Sequence, residues 1–528
     1  MVPHPSTPGN DPLPQSVAAA VATGSQAVAV EHGRARATAA PAIAGALREL
    51  LGEDVRAWID HGFEIVKERT VRLVLRGAIA GVPVHAKVFR PDRFADRARD
   101  LLRGDRARRE HDHLVRAQAL GLPTVIPLAH GLVRDGEAMR SFVLTRTVDG
   151  APFDVAGATA GPLARAGELL RTVHDRGLAP QDLHAGNLLV ARDGTLHLVD
   201  LTSVRHGGDP GLRERARALA FFCHEVDGGA VDPRMRPLLA AYLAGGPPLP
   251  ATFAAELAAA TRRWRAGALP AFGRRAERDC RHTATTRRRR AEPRWFWHLL
   301  GPGADDAMRA ACTTFATSPP AADKEGRRGA VWLRPEFAAK QRDAAAARRL
   351  WRASYWLQFA RVPTPQPIAM RLHGGQGMVF VQRLAGPNLA SELAAGSVPP
   401  AAFAGIAHRL GDAVGRLHAH GLGNRDLKFE NLVRDQHDGT IAMVDLDGVR
   451  RRPTLDTRGR GADLGRLQAA FVAAGSPGGA AARTAFLRAY LRAHRRLLTT
   501  TPIRRVLRAA TLRAGEWAES HRAVRAGG

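Results

Sequence analysis

Two loops of the chain share one pattern of polar side chains and lie 244 residues apart. The first reads GLAPQDLHAGNLLV, from Gly177 to Val190, and the second reads GLGNRDLKFENLV, from Gly421 to Val433. Each loop is followed by a matching segment, DGTLHLVDL in the first copy and DGTIAMVDL in the second. Self-similarity of this length indicates a duplicated domain. The repeat therefore predicts two copies of one fold, each built around its own loop.

Both copies place the same three oxygen-bearing side chains at spacings that agree within one residue. They are Asp182, Asn187 and Asp200 in the first copy, and Asp426, Asn431 and Asp445 in the second. An Asp followed five residues later by an Asn is typical of phosphotransfer loops, in which the Asp faces the acceptor hydroxyl and the Asn holds a metal ion. A further Asp at the end of the next strand adds a second oxygen ligand for Mg²⁺. The pattern predicts metal-dependent phosphoryl transfer.

Lysine is rare in this chain, which makes Lys87 informative. Only five of the 78 basic residues are Lys, and the others are Arg. Lys87 alternates away from the apolar face of a predicted strand over Val82–Phe89. Glu110 lies on the apolar face of a predicted helix and needs a partner there. We expect Lys87 and Glu110 to form an ion pair that orients nucleotide phosphates; a solvated Lys87, or a Glu110 paired with a nearby Arg, are the alternatives.

The second copy differs at these two positions. Aligning Phe89-Arg90-Pro91 with Leu333-Arg334-Pro335 puts Val331 opposite Lys87, and a second match around Pro363 puts Leu350 opposite Glu110. The second copy is therefore expected to have lost the ion pair. Lys324 or Lys340 is an alternative source of the charge. Lys428, two residues after Asp426, is placed to neutralise a transferred phosphate.

Length and local composition predict the domain limits. A chain of 528 residues is too long for one hydrophobic core. We expect a disordered tail over residues 1–40, a first domain over 41–280, a basic linker over 281–294, and a second domain with a helical C-terminal tail over 295–528. The run Arg287–Arg290 precedes Trp295, Phe296 and Trp297. Such a run suits a solvated linker with aromatics packed in the next domain, or else a membrane or nucleic-acid contact.

The charge and the cysteines limit the partners and the compartment. The 78 basic and 50 acidic residues give a net charge of +28, which reflects either phosphate-rich partners or an Arg-rich composition. Three widely spaced Cys suit neither a disulfide framework nor a zinc site. We expect a cytoplasmic protein, with at most peripheral contact with an anionic membrane. Nucleic acid is not the expected partner, although an anion-binding protein that grips it is a rival interpretation.

Both halves resemble the protein-kinase-like superfamily. The loop forms, Asp-Leu-His and Asp-Leu-Lys followed by Asn, are most similar to the bacterial lipopolysaccharide core kinases, which phosphorylate heptose or Kdo sugars. The resemblance implies an α+β fold with two tandem bilobal domains, each with a small antiparallel-sheet lobe and a larger helical lobe. It also implies ATP and Mg²⁺ as cofactors and lipopolysaccharide or a related glycan as the acceptor.

The resemblance assigns roles to the residues named above. It implies Asp182 and Asp426 as catalytic residues, Lys87, Glu110 and Lys428 as nucleotide-binding residues, and Asn187, Asp200, Asn431 and Asp445 as metal ligands. The first half is then the active kinase and the second a degenerate or regulatory copy.

Two departures from the superfamily keep other functions open. Neither Pro180-Gln181-Asp182 nor Asn424-Arg425-Asp426 contains the usual His, and neither half has a full glycine-rich loop. A pseudokinase scaffold that binds nucleotide or a partner without turnover is therefore an alternative. So is a protein Ser/Thr kinase or a small-molecule kinase similar to the aminoglycoside phosphotransferases. The sequence does not predict an oligomeric state.

Overall fold

The computed structural model divides the chain into two compact units, Met1–Thr261 and Arg262–Gly528. It describes residues 27–69, 71–90, 104–226, 228–280, 282–286, 292–326, 329–435, 438–452, 456–496 and 503–526. Each unit has an antiparallel-sheet lobe and a helical lobe, with a separate buried core in each lobe. The predicted α+β fold of two tandem bilobal domains is confirmed.

The sheet lobe of the first unit is a seven-stranded sheet in the order β1-β2-β6-β7-β5-β4-β3. Its strands are β1 (Val28–His32), β2 (Ala35–Ala39), β3 (Glu64–Arg69), β4 (Arg72–Ile79), β5 (Val82–Phe89), β6 (Pro127–Asp135) and β7 (Ala138–Arg146). Burial alternates along β5, because successive side chains of a strand point to opposite faces. Trp58 and Phe142 are fully buried beneath this sheet.

The helical lobe of the first unit follows β7. The helices of this unit are α1 (Ala44–Leu51), α2 (Arg106–Ala119), α3 (Ala160–Asp175), α4 (Leu212–Phe222) and α5 (Arg236–Ala244). A further helix, α6 (Phe253–Arg275), begins in the first unit and ends in the second. Its short strands are β8 (Gly150–Pro152), β9 (Leu178–Pro180), β10 (Leu188–Ala191), β11 (Leu196–Leu198) and β12 (Val204–His206). Asp105 caps α2 by accepting a hydrogen bond from the Ala107 amide, which fixes the start of this helix.

The second unit repeats the sheet position by position, in the order β13-β14-β18-β19-β17-β16-β15. Its strands are β13 (Thr283–Thr285), β14 (Arg294–His298), β15 (Lys324–Gly326), β16 (Gly329–Leu333), β17 (Phe337–Asp343), β18 (Pro367–His373) and β19 (Gln376–Gln382). Because the order is the same, β17 occupies the place of β5, and β16 occupies the place of β4.

The helices of the second unit are α7 (Asp306–Thr317), α8 (Ala344–Phe359), α9 (Leu389–Ala394), α10 (Phe403–Ala419), α11 (Thr457–Ala473), α12 (Gly479–Arg496) and α13 (Ile503–Ala526). The short strands are β20 (Leu422–Asn424), β21 (Leu432–Arg434), β22 (Ile441–Met443) and β23 (Val449–Arg451). Asp343 caps α8 as Asp105 caps α2. None of the helices within the described ranges is both long and apolar enough to cross a membrane.

The observed boundaries differ from the predicted ones in two places. Residues 28–39, predicted as part of a disordered tail, form β1 and β2 at the edge of the first sheet. Small alternating Ala residues in β2 pack against the sheet core, and a Pro- and Ala-rich context hid this alternation. Residues 262–280 belong to the second unit, where Leu269 and Ala276 are buried in its core.

The predicted linker also contains a strand, because β13 begins at Thr283 and pairs with β14. Trp295 and Trp297 of β14 are buried and stack on each other with ring centroids 4.6 Å apart. These aromatics pack within the second unit, so they do not form an exposed membrane or nucleic-acid surface. The Arg287–Arg290 run lies outside the described residues.

Candidate functional site

In the first unit an ion pair joins β5 to α2. The Lys87 Nζ lies 2.9 Å from Glu110 Oε1 and 2.7 Å from Glu110 Oε2. The strand presents Lys87 on the face opposite its core residues, and α2 turns Glu110 inward, where only 3% of its surface is exposed. The structure therefore brings together the Lys and Glu that the sequence predicted to pair.

A second carboxylate approaches the same ammonium. Asp200 Oδ1 lies 2.7 Å from Lys87 Nζ, and Asp200 Oδ2 accepts a hydrogen bond from Arg72 Nη1 at 3.0 Å. The backbone of Asp200 has a φ of 61°, a left-handed conformation that few residues other than Gly adopt. Such strain is concentrated at functional sites, where the surroundings hold it in place.

The pKa values of the two carboxylates move in opposite directions. Burial raises the pKa of Glu110, although Lys87 opposes this. Burial also disfavours the ionised form of Asp200, but Lys87 and Arg72 outweigh it and lower the pKa of Asp200 to about 2. Asp200 is consequently an anion at neutral pH, held between two cations.

The loop of the first unit leaves Asp182 accessible. Asn187 donates a hydrogen bond from Nδ2 to the backbone oxygen of Asp182 at 2.7 Å, which closes the loop. The Asp182 side chain is exposed to solvent on one side. Neighbouring atoms still desolvate its carboxylate enough to raise its pKa, against the opposing influence of His184.

A clamp common to both units positions the strand before Asp200 in the first unit and before Asp445 in the second. In the first unit Thr124 Oγ1 donates to the Leu198 carbonyl at 2.8 Å. In the second unit Thr364 Oγ1 donates to the Met443 carbonyl at 2.9 Å. The clamped residue lies two positions before Asp200 in one unit and before Asp445 in the other. The pairs Pro123-Thr124 and Pro363-Thr364, which match in the two halves of the sequence, thus have a structural role.

The second unit keeps a Lys in its cleft, contrary to the sequence alignment. Lys340 Nζ lies 3.0 Å from Asp445 Oδ1. In the sheet register Lys87 lies opposite Val74 and Val143, and Lys340 lies opposite Val331 and Val379. Lys340 therefore matches Lys87, and Val331 matches Val74.

The expectation that Val331 replaces Lys87 was wrong. Arg90 follows β5, whereas Arg334 follows β16, which occupies the place of β4, so the Arg-Pro motif aligned two strands that do not correspond. Lys324 lies on β15, at the far edge of the second sheet, and pairs with Val331. Of the two Lys residues named as alternatives, Lys340 is the one beside Asp445.

The helix of the second unit supplies no carboxylate to this Lys. Leu350 of α8 lies with Lys340 and Val379 around the same small cavity. Leu350 is buried and occupies the place that Glu110 has on α2. The predicted loss of the ion pair is therefore a loss of the Glu alone.

The loop of the second unit is held by additional polar contacts. Asp426 forms an ion pair with Arg466 of α11 at 3.1 Å, and Asn431 Nδ2 donates to Asp426 Oδ2 at 3.0 Å. Lys428 lies at a large apolar cavity together with Phe429. Within the described part of the chain Lys428 forms no ion pair. The same cavity is lined by Arg466, the partner of Asp426.

A buried His supports each loop, but the two supports differ. His418 contacts Tyr490 through Nδ1 and Asp463 through Nε2, at 2.9 and 3.2 Å. The same Asp463 accepts a hydrogen bond from the Asn424 amide at 2.8 Å. The Asp463 carboxylate therefore ties the buried His to the loop.

In the first unit His174 contacts Tyr242 at 2.7 Å, whereas its Nε2 has no hydrogen-bond partner among the described residues. Pro180 replaces Asn424 and has no amide hydrogen to donate. When α4 and α11 are aligned from their first turns, Ala218 takes the place of Asp463. The first unit thus has neither the donor nor the acceptor of this link.

Two residues of these sites, Arg72 and Arg466, were not predicted from the sequence, and Lys340 was named only as an alternative source of the charge. Arg72 begins β4 and holds Asp200, Lys340 replaces Lys87, and Arg466 holds Asp426. Arg supplies most of the basic residues, so its abundance hid Arg72 and Arg466. The residues 337–343 alternate in burial as those of β5 do, and this pattern could have identified Lys340 as the match of Lys87.

Comparisons with known proteins establish no family. No protein-family profile matches the chain, and no curated protein matches it. Among solved structures, one similar chain is described as the microcompartment-associated aminopropanol kinase, at 16% identity and a TM-score of 0.28. The match covers 38% of this chain and 81% of that one. A similarity this weak does not assign a family or an activity.

Proposed function

We propose that the first unit is an ATP- and Mg²⁺-dependent phosphotransferase acting on a hydroxyl group. The observation that carries the proposal is the arrangement around Lys87, whose ammonium lies within 2.9 Å of Glu110 and within 2.7 Å of Asp200. A Lys held by a helix carboxylate next to a metal-ligand Asp is the arrangement that phosphoryl transfer requires. Lys87 and Asp200 are the two ends of a 114-residue stretch, and the sequence spacing alone could not predict that they meet.

The side chains present fit a magnesium ion. Asp200 is ionised at neutral pH, and the Nδ2 of Asn187 is used within the loop, so its side-chain oxygen faces away from that bond. Carboxylate and amide oxygens are the ligands that Mg²⁺ prefers. Asn187 and Asp200 would hold the ion, which when bound neutralises phosphate charge and orients the phosphates.

The remaining residues perform the other tasks that transfer requires. Lys87 and Arg72 place two positive charges beside Asp200, where they suit the phosphate oxygens of a nucleotide. Glu110 holds Lys87 in position. Asp182, at the accessible end of the loop, orients the acceptor hydroxyl and receives its proton.

The acceptor we propose is a sugar hydroxyl of a lipopolysaccharide core or a related glycan. Rings lie near Asp182: His184 approaches Phe221 at a centroid distance of 6.2 Å, and Phe221 stacks on His224 at 5.1 Å. Both His residues act electrostatically on Asp182, so they are close to it. Flat ring faces beside the loop suit an acceptor that is itself a ring. We place the protein in the cytoplasm, with peripheral contact at an anionic membrane surface.

We propose a regulatory role without turnover for the second unit. The Asp426 carboxylate is occupied by Arg466 and Asn431, and Leu350 leaves Lys340 without a helix partner. Both features oppose the positioning of a nucleotide and a hydroxyl.

The test is phosphate transfer from labelled ATP by the full chain in the presence of Mg²⁺. The acceptors are lipopolysaccharide core oligosaccharide, an aminoglycoside, a small amino alcohol and a protein substrate mixture, and label in each acceptor is counted. We expect transfer to the core oligosaccharide, and we expect Asp182→Ala to abolish it while nucleotide binding persists.

The other outcomes separate the rivals. Transfer to another acceptor keeps the phosphotransferase and rejects the glycan. Nucleotide binding without transfer to any acceptor favours a pseudokinase scaffold. Full activity of Asp182→Ala contradicts the proposed site.

A further inference from the structure

Three side chains outside the proposed cleft converge at the junction of α2 and β6. They are His111 and Asp112 of α2 and His130 of β6, and their ligand atoms all lie within 4.8 Å of one another. The rings of His111 and His130 meet edge to face, with centroids 4.5 Å apart. Two imidazoles and a carboxylate form a donor set that transition metals use in proteins.

The two imidazoles are available as metal ligands at neutral pH. Burial, with a further contribution from His130, lowers the pKa of His111 to about 4. Burial also lowers the pKa of His130, although Asp112 opposes this. A neutral imidazole has one nitrogen lone pair to donate to a metal, and the two rings lie close enough to share one ion.

The hydrogen bonding around His111 is incomplete. Its Nδ1 is buried and makes no well-aligned hydrogen bond, while Asp112 Oδ1 lies 3.5 Å away. A buried polar atom without a partner is costly, and a bound cation would satisfy it. Asp112 is exposed and gives solvent access to the cluster, and Arg108 lies 3.7 Å from its other oxygen.

We propose that His111, His130 and Asp112 bind a divalent transition metal of the zinc class. Tetrahedral zinc needs its ligand atoms about 3.3 Å apart, as follows from bonds of about 2.0 to 2.1 Å. The ligand atoms here lie up to 4.8 Å apart. Rotation of the exposed Asp112 side chain and small shifts of the two imidazole rings would bring them to the distance that zinc needs. The metal would have three protein ligands, and water would take the fourth position.

The location of this site gives metal binding a consequence for the cleft. The metal would tie α2 to β6, and α2 carries Glu110 directly before His111. The same helix contacts the segment after Asp200, since His113 Nδ1 lies 2.6 Å from the Leu201 carbonyl oxygen. Metal binding would thus fix α2 between the sheet and the Asp200 segment. The binding itself does not depend on the proposed phosphotransfer.

The test uses the full chain without an affinity tag, stripped of metal with a chelator. Co²⁺ is titrated while its visible absorption is recorded, and Zn²⁺ is then added in competition. We expect one tight site that Zn²⁺ displaces, with affinity falling at least tenfold in His130→Gln and in Asp112→Asn. His61→Gln is the matched control, because His61 pairs with the carboxylate Glu53 at 3.0 Å elsewhere in the same unit.

Two further readouts keep the test decisive. Asp112 is exposed, so Asp112→Asn should keep the melting temperature of the metal-free protein and lose only the rise that Zn²⁺ produces. Amide hydrogen exchange over residues 106–119 should slow when Zn²⁺ binds the wild type. No tight Co²⁺ site in the wild type, or a site equally tight in His130→Gln, Asp112→Asn and His61→Gln, overturns the proposal. Loss of the site in Asp200→Asn alone would place the metal in the cleft and overturn it as well.

Discussion

The two units build the same sheet and the same clamp, but their clefts carry different charges. In the first unit Lys87 contacts both Glu110 and Asp200. In the second unit Lys340 pairs with Asp445 and with no other carboxylate of the described residues, because Leu350 takes the place of the Glu. The comparison separates what the fold requires from what the proposed reaction requires.

The features shared by both units are the structural ones. Each unit keeps a buried His in contact with a Tyr, and each keeps the Thr that donates to the strand before Asp200 or Asp445. The residues that differ lie where nucleotide and acceptor are proposed to bind. Asp182 is exposed, whereas Asp426 is held by Arg466. The second unit therefore retains the fold but lacks some of the features that the proposed reaction needs.

The largest difference is expected from replacing the Lys of each cleft. Lys87→Met removes the cation proposed to bind the phosphates, so kcat/KM for ATP should fall by about 10² to 10³. Lys340→Met, the matched change, should leave kcat/KM within about twofold. Steady-state ATP consumption by the full chain measures both. An equal fall of kcat/KM in the two variants would contradict the proposal that only the first unit carries out phosphate transfer.

The next largest effect concerns the support of the second loop. Asp463→Ala leaves His418 Nε2 and the Asn424 amide without a partner, so it should destabilise the second unit by about 2 to 3 kcal/mol. Asp463→Asn keeps an acceptor oxygen and should cost less. Urea unfolding of the full chain measures the change. An Asp463→Ala variant as stable as the wild type would contradict the proposed link.

A smaller effect is expected from the helix carboxylate. Glu110→Gln keeps the shape but loses the charge that holds Lys87, so phosphate transfer should fall by about tenfold, the effect of one charge-assisted hydrogen bond. Leu350→Gln is the matched change in the second unit and should leave transfer unchanged. Initial rates at saturating acceptor provide the measurement. A wild-type rate in Glu110→Gln would remove this residue from the site.

A further effect, spread over several pH units, is a pH dependence of stability. Burial lowers the pKa of His174 to about 3, from an ordinary value near 6.5 in the unfolded chain. Between these values the unfolded state binds the extra proton, so this contribution to stability is present above pH 6.5 and is lost as the pH falls. The slope is at most about 1.4 kcal/mol per pH unit.

Ala218→Asp tests the origin of that slope. The new carboxylate lies where Asp463 contacts His418 in the other unit, so it should supply a partner to the His174 Nε2 and favour its protonated form. We expect the stability to fall less steeply between pH 6 and 4 than in the wild type, measured by urea unfolding at several pH values. An unchanged slope would mean that other groups dominate the acid sensitivity.

The sequence predicted the features that depend on local spacing. The repeated Asp and Asn pattern identified two domains of one fold, and the alternation around Lys87 and Glu110 identified the pair that the structure brings together. Leu350 was also placed correctly opposite Glu110. These predictions succeeded because strand and helix periodicity determine which way a side chain points.

The sequence could not predict contacts that depend on the tertiary fold. Lys340 was named only as an alternative to Lys87, because a short Arg-Pro motif aligned β16 with β5, and only the strand order corrects this alignment. Arg72 was missed because its contact with Asp200 spans 128 positions in the chain. The edge strands β1 and β2 were missed because their small residues resemble a disordered segment until they pair.

The central claim is that one of the two clefts binds nucleotide. Titration of the full chain with a non-hydrolysable ATP analogue and Mg²⁺, followed by calorimetry, counts the sites directly. We expect one nucleotide site per chain, which is lost in Asp200→Asn and retained in Asp445→Asn. Two equivalent sites in the wild type, or a site that disappears in Asp445→Asn and persists in Asp200→Asn, would contradict it.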